Sequence, residues 1–383
     1  MKITKITTFQ IPEFPLSTFL RIDADSGLYG LGESTNQPLV VAAAAHDFCA
    51  PSILGEDAVD IEKIWNRLYF KANLQGVAGA EMRAMSAVDF ALWDILGKAC
   101  GMPVYKLRGG KVRDRVTIYN TCGTHNGRVT SKRDNDWFME DAGTLAQDLL
   151  DSGIKMMKIW PLDKYAGKTN GQYISESDIK EGFEPLAKIR GAVGDKMQIC
   201  LEAHGLWNIP CSVRIAREAE KYNVRWLEDP MLVDDVGNMR LLREKINVPL
   251  LVSERLCTRM QYMPLLAAGG ADIVMVDLSW AGGLTEGGKI ASAADSYRIP
   301  ITTHNCGGPV LTKACAHFNI STYNSIEMET VRSSYRTFHE ITDSAFDINQ
   351  GTIHPGDEPG LGVVLHDDIL SRPGVVSRVT EKI

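Results

Sequence analysis

Three glutamates recur at equal spacing near the middle of the chain. Each ends a short apolar segment: Glu202 ends QICLE, Glu228 ends VRWLE and Glu254 ends PLLVSE, and successive members are 26 residues apart. Apolar strands rarely end inward on an unpaired charge, so we interpret the three as one group and not as unrelated surface acids. Carboxylate oxygens alone favour a hard cation, which predicts Mg²⁺ over zinc.

Basic side chains lie near the ends of neighbouring segments. Side chains alternate along a strand, so His204 shares the parity of Glu202, and Lys158 shares that of Trp160 in GIKMMKIW. We therefore expect His204 and Lys158 to face the same cavity as the cation. Lys155 has the opposite parity, and we expect it to point outward with no chemical role.

A histidine and an aspartate end two further segments. ADIVMVDLSW contains Asp277 and IPITTHNCGG contains His304, and adjacent strands would place them side by side. A carboxylate that binds one ring nitrogen fixes the tautomer and leaves the other nitrogen as a general base. The alternative is a histidine that is only hydrogen-bonded within the core.

The last apolar segment, NSIEMETVR, contains Glu327 and Glu329 with the same parity. Glu329 is nearer the strand end and is the better candidate for the site. A protonated or hydrogen-bonded glutamate there can stabilise an oxyanion. An ion pair with Arg332 or another basic residue explains it equally well. A cation, a lysine and a His/Asp pair together suit removal of the proton next to a carboxylate.

These side chains require a scaffold that brings many strand ends together. Eight strand-like segments alternate with helix-like stretches, which predicts an α/β fold built on a (β/α)8-type barrel. In such barrels the catalytic side chains project from the carboxyl ends of the strands. The predicted strands lie near 116–121, 154–160, 198–203, 224–228, 249–254, 272–278, 299–304 and 325–329.

The first part of the chain predicts a smaller α+β unit. Residues 2–12 and 17–32 alternate like antiparallel strands, and AMSAVDFALWDILGKACG has helical spacing that stops at Gly101 and Pro103. We predict a capping domain over residues 1–112, completed by about 345–383. The barrel domain is predicted over residues 113–344.

Composition restricts the partners. A chain of 383 residues with 44% hydrophobic content can bury a large core. A net charge of -7 and a pI near 5.7 give no electrostatic reason to bind nucleic acid or an anionic membrane. The eight cysteines show no CxxC pair, so we interpret them as reduced core thiols. We predict a cytoplasmic protein that acts on a small molecule.

Together the motifs resemble the enolase superfamily, in its mandelate racemase branch. The likeness covers essentially the whole chain, from SAVDFALWDILGK and PVYKLRGG through the barrel motifs to PGLG near the end. The resemblance implies that Lys158 is the first lysine of a KxK motif, that Glu329 hydrogen-bonds an enolate and that the chain forms a symmetric homo-oligomer. It also implies that Asp277 and His304 form the base dyad. The Mg²⁺ ligands that it implies are Glu202, Glu228 and Glu254.

The sequence departs from that branch at Trp160, where its racemases have a second lysine as a base on the opposite face of the substrate. This argues against racemisation and for a one-base reaction. The pattern of Glu202 and His204 resembles sugar-acid dehydratases, in which this histidine protonates the departing 3-hydroxyl. The alternative is a histidine that only orients Glu202. The expected reaction is Mg²⁺-dependent dehydration of a small-molecule carboxylate, an aldonate or aldarate, to a 2-keto-3-deoxy acid.

Two other functions stay open from the sequence. An epimerase or cycloisomerase of the same superfamily shares the proton abstraction but expels no hydroxyl, and an inactive barrel would only bind metal or a partner. The substrate depends on loops over the barrel mouth. The candidates to contact it there are Phe14, Arg21 and Trp207, with Arg255 and Arg259 as candidate partners of a distal carboxylate.

Overall fold

The computed structural model describes residues 1–124 and 134–381. Within these residues the strands form two sheets, one antiparallel and one that closes into a barrel. The strands are β1 Ile3–Gln10, β2 Ser17–Ala24, β3 Tyr29–Thr35, β4 Val116–Thr121, β5 Met156–Ile159, β6 Gln198–Glu202, β7 Trp226–Glu228, β8 Leu250–Val252, β9 Ile273–Asp277, β10 Ile301–His304, β11 Ser325–Thr330, β12 Asp347–Asn349, β13 Thr352–His354 and β14 Val376–Glu381.

Helices cover the outside of the barrel and one face of the antiparallel sheet. A π-helical turn, Ala44–Cys49, links the first two, and short 3₁₀ turns lie at Gly194–Lys196, Phe338–Glu340 and Ile369–Ser371. The α-helices are α1 Pro38–Ala43, α2 Ala50–Ile53, α3 Ile61–Ala72, α4 Ala80–Cys100, α5 Val104–Leu107, α6 Asp134–Asp151, α7 Asp163–Ala166, α8 Glu176–Gly182, α9 Glu184–Val193, α10 Ile209–Glu220, α11 Val236–Arg243, α12 Thr258–Ala268, α13 Gly283–Ser296, α14 Pro309–Ser321 and α15 Arg332–Tyr335.

The barrel consists of the parallel strands β4 to β11 in sequence order. Pairing of β11 with β4 closes it, with Glu329 opposite Tyr119. This confirms the predicted barrel of eight strands alternating with helices. Strands β7 and β8 have only three residues each. β7 begins two residues later than the predicted segment 224–228, and β8 ends two residues before the end of the predicted segment 249–254.

Side chains fill the barrel interior below that rim. Tyr119 and Trp226 meet there edge to face, with ring centroids 5.5 Å apart. A packed interior closes the bottom of the barrel, so a ligand can enter only from the carboxyl ends of the strands. The buried members of this interior cluster are Tyr119, Met156, Cys200, Trp226, Leu251, Ile273 and Met275.

The capping sheet has the order β14-β1-β2-β3, and helix α4 packs on it closely. A Cβ on Gly30 or Gly32 would lie 1.9 Å from the carbonyl oxygen of Ala91 or Ala87, so only glycine permits this approach. The helix ends as predicted, with Gly101 in the left-handed conformation at φ 63°.

A buried carboxylate fastens the capping sheet to the barrel. Glu33 on β3 accepts hydrogen bonds from the backbone N–H groups of Val310 and Leu311, at 3.1 and 3.0 Å, and from that of Gly308. These donors are free because they begin helix α14, where the helix dipole also favours a negative charge. The contact holds the cap next to the loop that follows His304.

The end of the chain contributes to both sheets. Strands β12 and β13 form a hairpin that pairs with β4 of the barrel, whereas β14 pairs with β1 and completes the capping sheet. The domain limits predicted from the sequence, 1–112 with 345–383 and 113–344, stay a proposal. Throughout the part of the chain that the structure describes, every helix is too short or too polar to cross a membrane.

Candidate active site

The three equally spaced glutamates lie together at the carboxyl ends of adjacent strands. Glu202 ends β6, Glu228 ends β7 and Glu254 follows the end of β8. One oxygen from each carboxylate lies within 4.8 Å of the other two. Glu202 and Glu228 are buried, and the Glu254 side chain is 13% exposed. The sequence therefore predicted correctly that these side chains converge.

Lys158 on β5 lies against this acidic cluster. Its Nζ is 2.8 Å from Glu228 Oε1, 2.8 Å from Glu329 Oε1 and 3.3 Å from Glu202 Oε2. Burial opposes the charged form, but the surrounding carboxylates raise the pKa of Lys158 well above its ordinary value. Lys158 is therefore an ammonium. Lys155 is exposed, as the parity of the strand predicts.

The charge balance of the cluster fits a divalent cation. The ammonium of Lys158 contacts Glu202, Glu228 and Glu329, and Glu254 adds a fourth carboxylate to the cluster. Burial raises the pKa of Glu202 to about 7, and burial together with repulsion from Glu202 raises the pKa of Glu228 well above its ordinary value. More positive charge is needed to keep them ionised. A converging set of carboxylate oxygens with excess negative charge is the type of site that Mg²⁺ prefers.

Asp277 and His304 are paired across adjacent strands. They lie opposite each other in the β9–β10 register, with His304 Nδ1 2.7 Å from Asp277 Oδ2. The other oxygen of Asp277 accepts hydrogen bonds of 2.7 Å from both the backbone N–H and the hydroxyl of Ser279. An aspartate that only accepts requires a proton on Nδ1, so Nε2 is directed to the cavity, 3.1 Å from Glu254. Burial opposes protonation of His304, but Glu254 raises its pKa well above the ordinary value.

Glu329 lies at the site, whereas Glu327, two residues earlier on the same strand, does not. Glu329 accepts hydrogen bonds from the hydroxyl of Thr121 and, at 2.9 Å, from the backbone N–H of Asn305. Burial favours its neutral form, but Lys158 lowers the pKa of Glu329 to about 2, so it is ionised. Glu327 instead lies 3.4 Å from a guanidinium nitrogen of Arg225.

The alternative ion pair of Glu329 is formed with a basic residue other than Arg332, because Lys158 Nζ lies 2.8 Å from Glu329 Oε1. Arg332 binds Asp134, with its Nε 2.7 Å from Oδ2, and also contacts Asp148. The partners of Glu329 are therefore groups of the candidate site. Of the two glutamates on this strand, Glu329 and not Glu327 lies at the candidate site.

His204 faces the cavity from the β6–α10 loop and also touches the acidic cluster through its backbone. The N–H of His204 donates a hydrogen bond of 2.8 Å to Glu202 Oε1. Its ring is edge-on to Trp160, with centroids 5.6 Å apart, and Nδ1 lies 2.6 Å from Asp163 Oδ2. Orienting Glu202 thus requires only the backbone, and the ring is available for other chemistry.

A cavity of about 350 Å³ joins these groups. It is bounded on the barrel side by Lys158, Glu254 and His304, and His204 forms another part of its wall. Both histidines therefore reach one cavity, one from β10 and the other from the loop after β6. The remaining lining residues are Leu16, Thr35, Asn36, Thr121, Gly123, Thr124, Trp160, Trp280, Cys306 and Val331.

The structure does not place the predicted specificity residues in this cavity. Phe14 is fully buried in the core, Arg21 binds Asp23 at 2.6 Å, and Arg259 binds Glu286 at 2.6 Å. Trp207 and Arg255 instead line a second, more open cavity. Phe14, Trp207 and Arg255 lie in loops, where no periodicity specifies the direction of a side chain, whereas Arg21 on β2 and Arg259 on α12 are held by ion pairs within the protein.

Three functional neighbours escaped the sequence analysis. Trp280 packs on His304 with ring centroids 5.0 Å apart, and Cys306 lies within 4.8 Å of His304 and Glu329. Parity along the strand could have indicated Cys306, two residues after His304. Asp163, the partner of His204, follows β5 within a four-residue helix, and no sequence signal points to it.

The arrangement can move protons on two sides of one substrate. Nε2 of His304 is directed to the cavity, and the ring of His204 reaches a different part of the same cavity, so the two rings can exchange protons with one ligand at separate positions. Lys158 and a cation in the acidic cluster would supply positive charge between them. Such a site suits removal of a proton next to a carboxylate, followed by loss of a leaving group.

Family models match both parts of the chain. The model described as "Mandelate racemase / muconate lactonizing enzyme, N-terminal domain" matches residues 6–109, and the "Enolase C-terminal domain-like" model matches residues 141–369. The chain belongs to the mandelate racemase and muconate lactonizing enzyme family. This confirms the resemblance to the enolase superfamily that the barrel and capping motifs predicted.

Relatives in this family include enzymes named D-galactonate dehydratase. Those of Verminephrobacter eiseniae and Pectobacterium atrosepticum are each 31% identical to this chain, and the alignments cover 97% of it and 94% of the relative. Among solved structures, an enolase protein from the Sargasso Sea environmental genome is 36% identical, with a TM-score of 0.91 over 100% of this chain and 99% of the other. An enolase of the mandelate racemase subgroup from Agrobacterium tumefaciens is 36% identical, with a TM-score of 0.90 and the same coverage.

Proposed function

We propose that this protein is a Mg²⁺-dependent sugar-acid dehydratase, a hydro-lyase that converts an aldonate or aldarate to a 2-keto-3-deoxy acid. The observation that carries the proposal is the presence of two histidines, His304 and His204, on one cavity, each with its own aspartate. Dehydration needs both a proton acceptor and a proton donor. The relatives named D-galactonate dehydratase support this reaction class.

The acidic cluster would hold the cation in this proposal. Glu202, Glu228 and Glu254 would bind Mg²⁺, which when bound supplies positive charge beside the substrate carboxylate. Lys158 is an ammonium on the same side and adds a second positive charge. Charge that develops on the carboxylate as the α proton leaves is therefore stabilised where it forms.

His304 is the proposed base. Asp277 holds the Nδ1–H and directs Nε2 to the cavity. Despite burial, Glu254 raises the pKa of His304, so Nε2 would become free to take the proton from C2 of the substrate once a bound cation neutralises that carboxylate. The electrons of that C–H bond move into a C1–C2 double bond and onto the carboxylate oxygens. Glu329, held by Lys158 and Thr121, lies beside this base. As an ionised carboxylate it cannot donate a hydrogen bond to the enolate, so its proposed part is to position Lys158, whose ammonium can donate one.

His204 is the proposed acid. As the electrons return to form the C2–C3 double bond, the 3-hydroxyl departs with a proton from His204 and leaves as water. The resulting enol loses its O2 proton and gains a proton at C3, which yields the 2-keto-3-deoxy acid. Trp160 occupies the position where a second base would act, and its indole cannot accept a proton there.

The test is incubation of the protein with Mg²⁺ and a panel of aldonic and aldaric acids in D₂O, followed by proton NMR. D-galactonate is the first acid to test because of the named relatives. We expect loss of the α signal and a new 3-deoxy methylene signal, both prevented by a chelator and restored by Mg²⁺. Exchange or rearrangement without the methylene would identify an epimerase or cycloisomerase, and no change with any acid would contradict the proposal.

Three further expectations from the sequence stay predictions. They are Mg²⁺ as the physiological cation, a symmetric homo-oligomer and location in the cytoplasm. The small-molecule carboxylate substrate follows from the reaction proposed above. Equilibrium sedimentation of the purified protein would test the oligomer directly.

A further inference from the structure

A second cavity shares His204 with the reaction cavity. It has a volume of about 820 Å³, is open to solvent and is lined by Asp163, His204, Trp207 and Arg255 among others. His204 lines both this cavity and the reaction cavity, whereas Asp163 lines only the open one. The Asp163–His204 pair therefore forms part of the wall between the two spaces.

We propose that Asp163 is the positioning residue of His204, an inference that rests on the proposed function. The carboxylate accepts the Nδ1–H across 2.6 Å. This hydrogen bond requires a proton on Nδ1 and turns the opposite ring edge, which carries Nε2, away from Asp163. Asp163 thus selects the ring orientation in which Nε2 faces the departing hydroxyl, and Nε2 gives up its proton there when both ring nitrogens are protonated.

The ring of His204 depends on this contact for its orientation. The side chain is 35% exposed, and it projects from a residue whose φ of 48° lies in the left-handed region. Trp160 meets the ring edge to face but does not distinguish the two ring flips. Within residues 1–124 and 134–381, Asp163 is the side chain that forms a hydrogen bond with this ring.

Asp163 has no competing structural task in the same region. Its second oxygen, Oδ1, is buried and has no hydrogen-bond partner among the described residues. Among the described residues the carboxylate therefore binds one side chain, that of His204, and joins helix α7 to the rest of the fold through this contact alone. A buried carboxylate oxygen without a partner is unfavourable, so the contact with His204 is retained at a cost.

The test uses Asp163→Ala and a substrate with a different leaving group. On the natural 3-hydroxy acid we expect kcat to fall about 10- to 100-fold with KM changed less than about 2-fold, the usual size of an effect that acts through a second residue. On the 3-deoxy-3-fluoro analogue we expect the variant to match the wild type. Fluoride departs without a proton, so the orientation of the acid no longer matters.

Two further variants test whether the effect of Asp163 comes from its hydrogen bond, from its charge or from a general loss of stability. Asp163→Asn keeps an oxygen acceptor without the charge, and we expect it to recover most of the lost activity. Asp178→Ala is the matched control. Asp178 is an aspartate between β5 and β6, as Asp163 is, and it binds Lys168 at 2.6 Å. We expect this control to keep wild-type rates on both substrates.

An NMR readout is independent of turnover. In protein labelled with ¹⁵N-histidine, the Nδ1–H of His204, assigned by its loss in His204→Asn, should disappear or move upfield in Asp163→Ala. An unchanged signal, or an equal loss of activity on the hydroxy and fluoro substrates, would overturn the positioning role. If the wild type dehydrates no acid, the proposed function fails, and the NMR result still decides whether Asp163 holds the ring.

Discussion

The two histidine–aspartate pairs use the same hydrogen bond in different surroundings. Asp277 and His304 end adjacent strands, and their side chains are 0% and 7% exposed. Asp163 and His204 belong to a short helix and a loop, and their side chains are 25% and 35% exposed. The first pair is protected from water, whereas the second lies between the reaction cavity and an open one.

The two aspartates also differ in the hydrogen bonds of the oxygen that does not contact the histidine. Ser279 donates two hydrogen bonds to Asp277 Oδ1, so this carboxylate is held on both sides. Asp163 Oδ1 has no such donor among the described residues. A proposed base must hold one geometry in a dry site, and a proposed acid next to solvent needs only one ring orientation. The comparison leads to four predictions.

Loss of the base should have the largest effect. We expect His304→Ala to lower kcat by at least about 10⁴-fold on both the hydroxy and fluoro substrates, because each reaction begins with removal of the α proton. Mg²⁺ affinity, measured by calorimetry, should remain within a few-fold of the wild type. Wild-type-like turnover in this variant would refute the assignment of the base.

Asp277→Asn should lower kcat by about 10³-fold on both substrates. The donors of Ser279 would hold the amide oxygen, which turns the NH₂ group toward His304 and removes the proton from Nδ1. Nε2 would then carry the proton and could not accept another. The contrast with the mild effect expected for Asp163→Asn tests the comparison directly, and similar losses in the two variants would contradict it.

His204→Asn should lower dehydration of the hydroxy acid by about 10²-fold. Elimination of fluoride should be nearly unchanged, and exchange of the α proton with D₂O should continue because His304 is intact. Proton and fluorine NMR measure all three rates. Full activity on the hydroxy acid would instead favour the epimerase or cycloisomerase.

A third histidine, without a carboxylate, completes the comparison. His317 is fully buried, accepts the backbone N–H of Tyr105 at 3.3 Å and lies 3.3 Å from the carbonyl oxygen of Leu361. Burial, with repulsion from Lys313, lowers the pKa of His317 from 6.5 to about 3. The pKa of His304 is raised instead, despite burial and chiefly by the nearby charge of Glu254, so the charges around each buried ring decide the direction of the shift.

This shift should make stability depend on pH. Between pH 6.5 and 3 the unfolded chain binds a proton at His317 that the folded chain does not, so stability falls as the pH is lowered through that window. The contribution is about 1.4 kcal/mol per pH unit. Urea unfolding at several pH values should give a shallower dependence for His317→Gln, and no change of slope for the exposed His339→Gln. Equal slopes for wild type and His317→Gln would contradict the prediction.

The groups that were predictable from sequence lie on or next to strands. Glu202, Glu228 and Glu254 could be grouped because parallel strands repeat at regular intervals and end at one rim. Asp277 and His304 followed from the same rule, since neighbouring strands in a barrel are in contact. Asp163 could not be found because 41 residues separate it from His204 and no periodicity links a short helix to a loop.

The sequence by itself determined the barrel, its capping unit and the strand-end residues that converge at the rim, because alternation and apolar runs specify which way strand side chains point. Only the tertiary structure decided the ring orientation of His204, the burial of Phe14 away from the cavity and the partners of Glu329. Those features depend on where separate loops and neighbouring strands meet, and that position is set by packing of the whole chain.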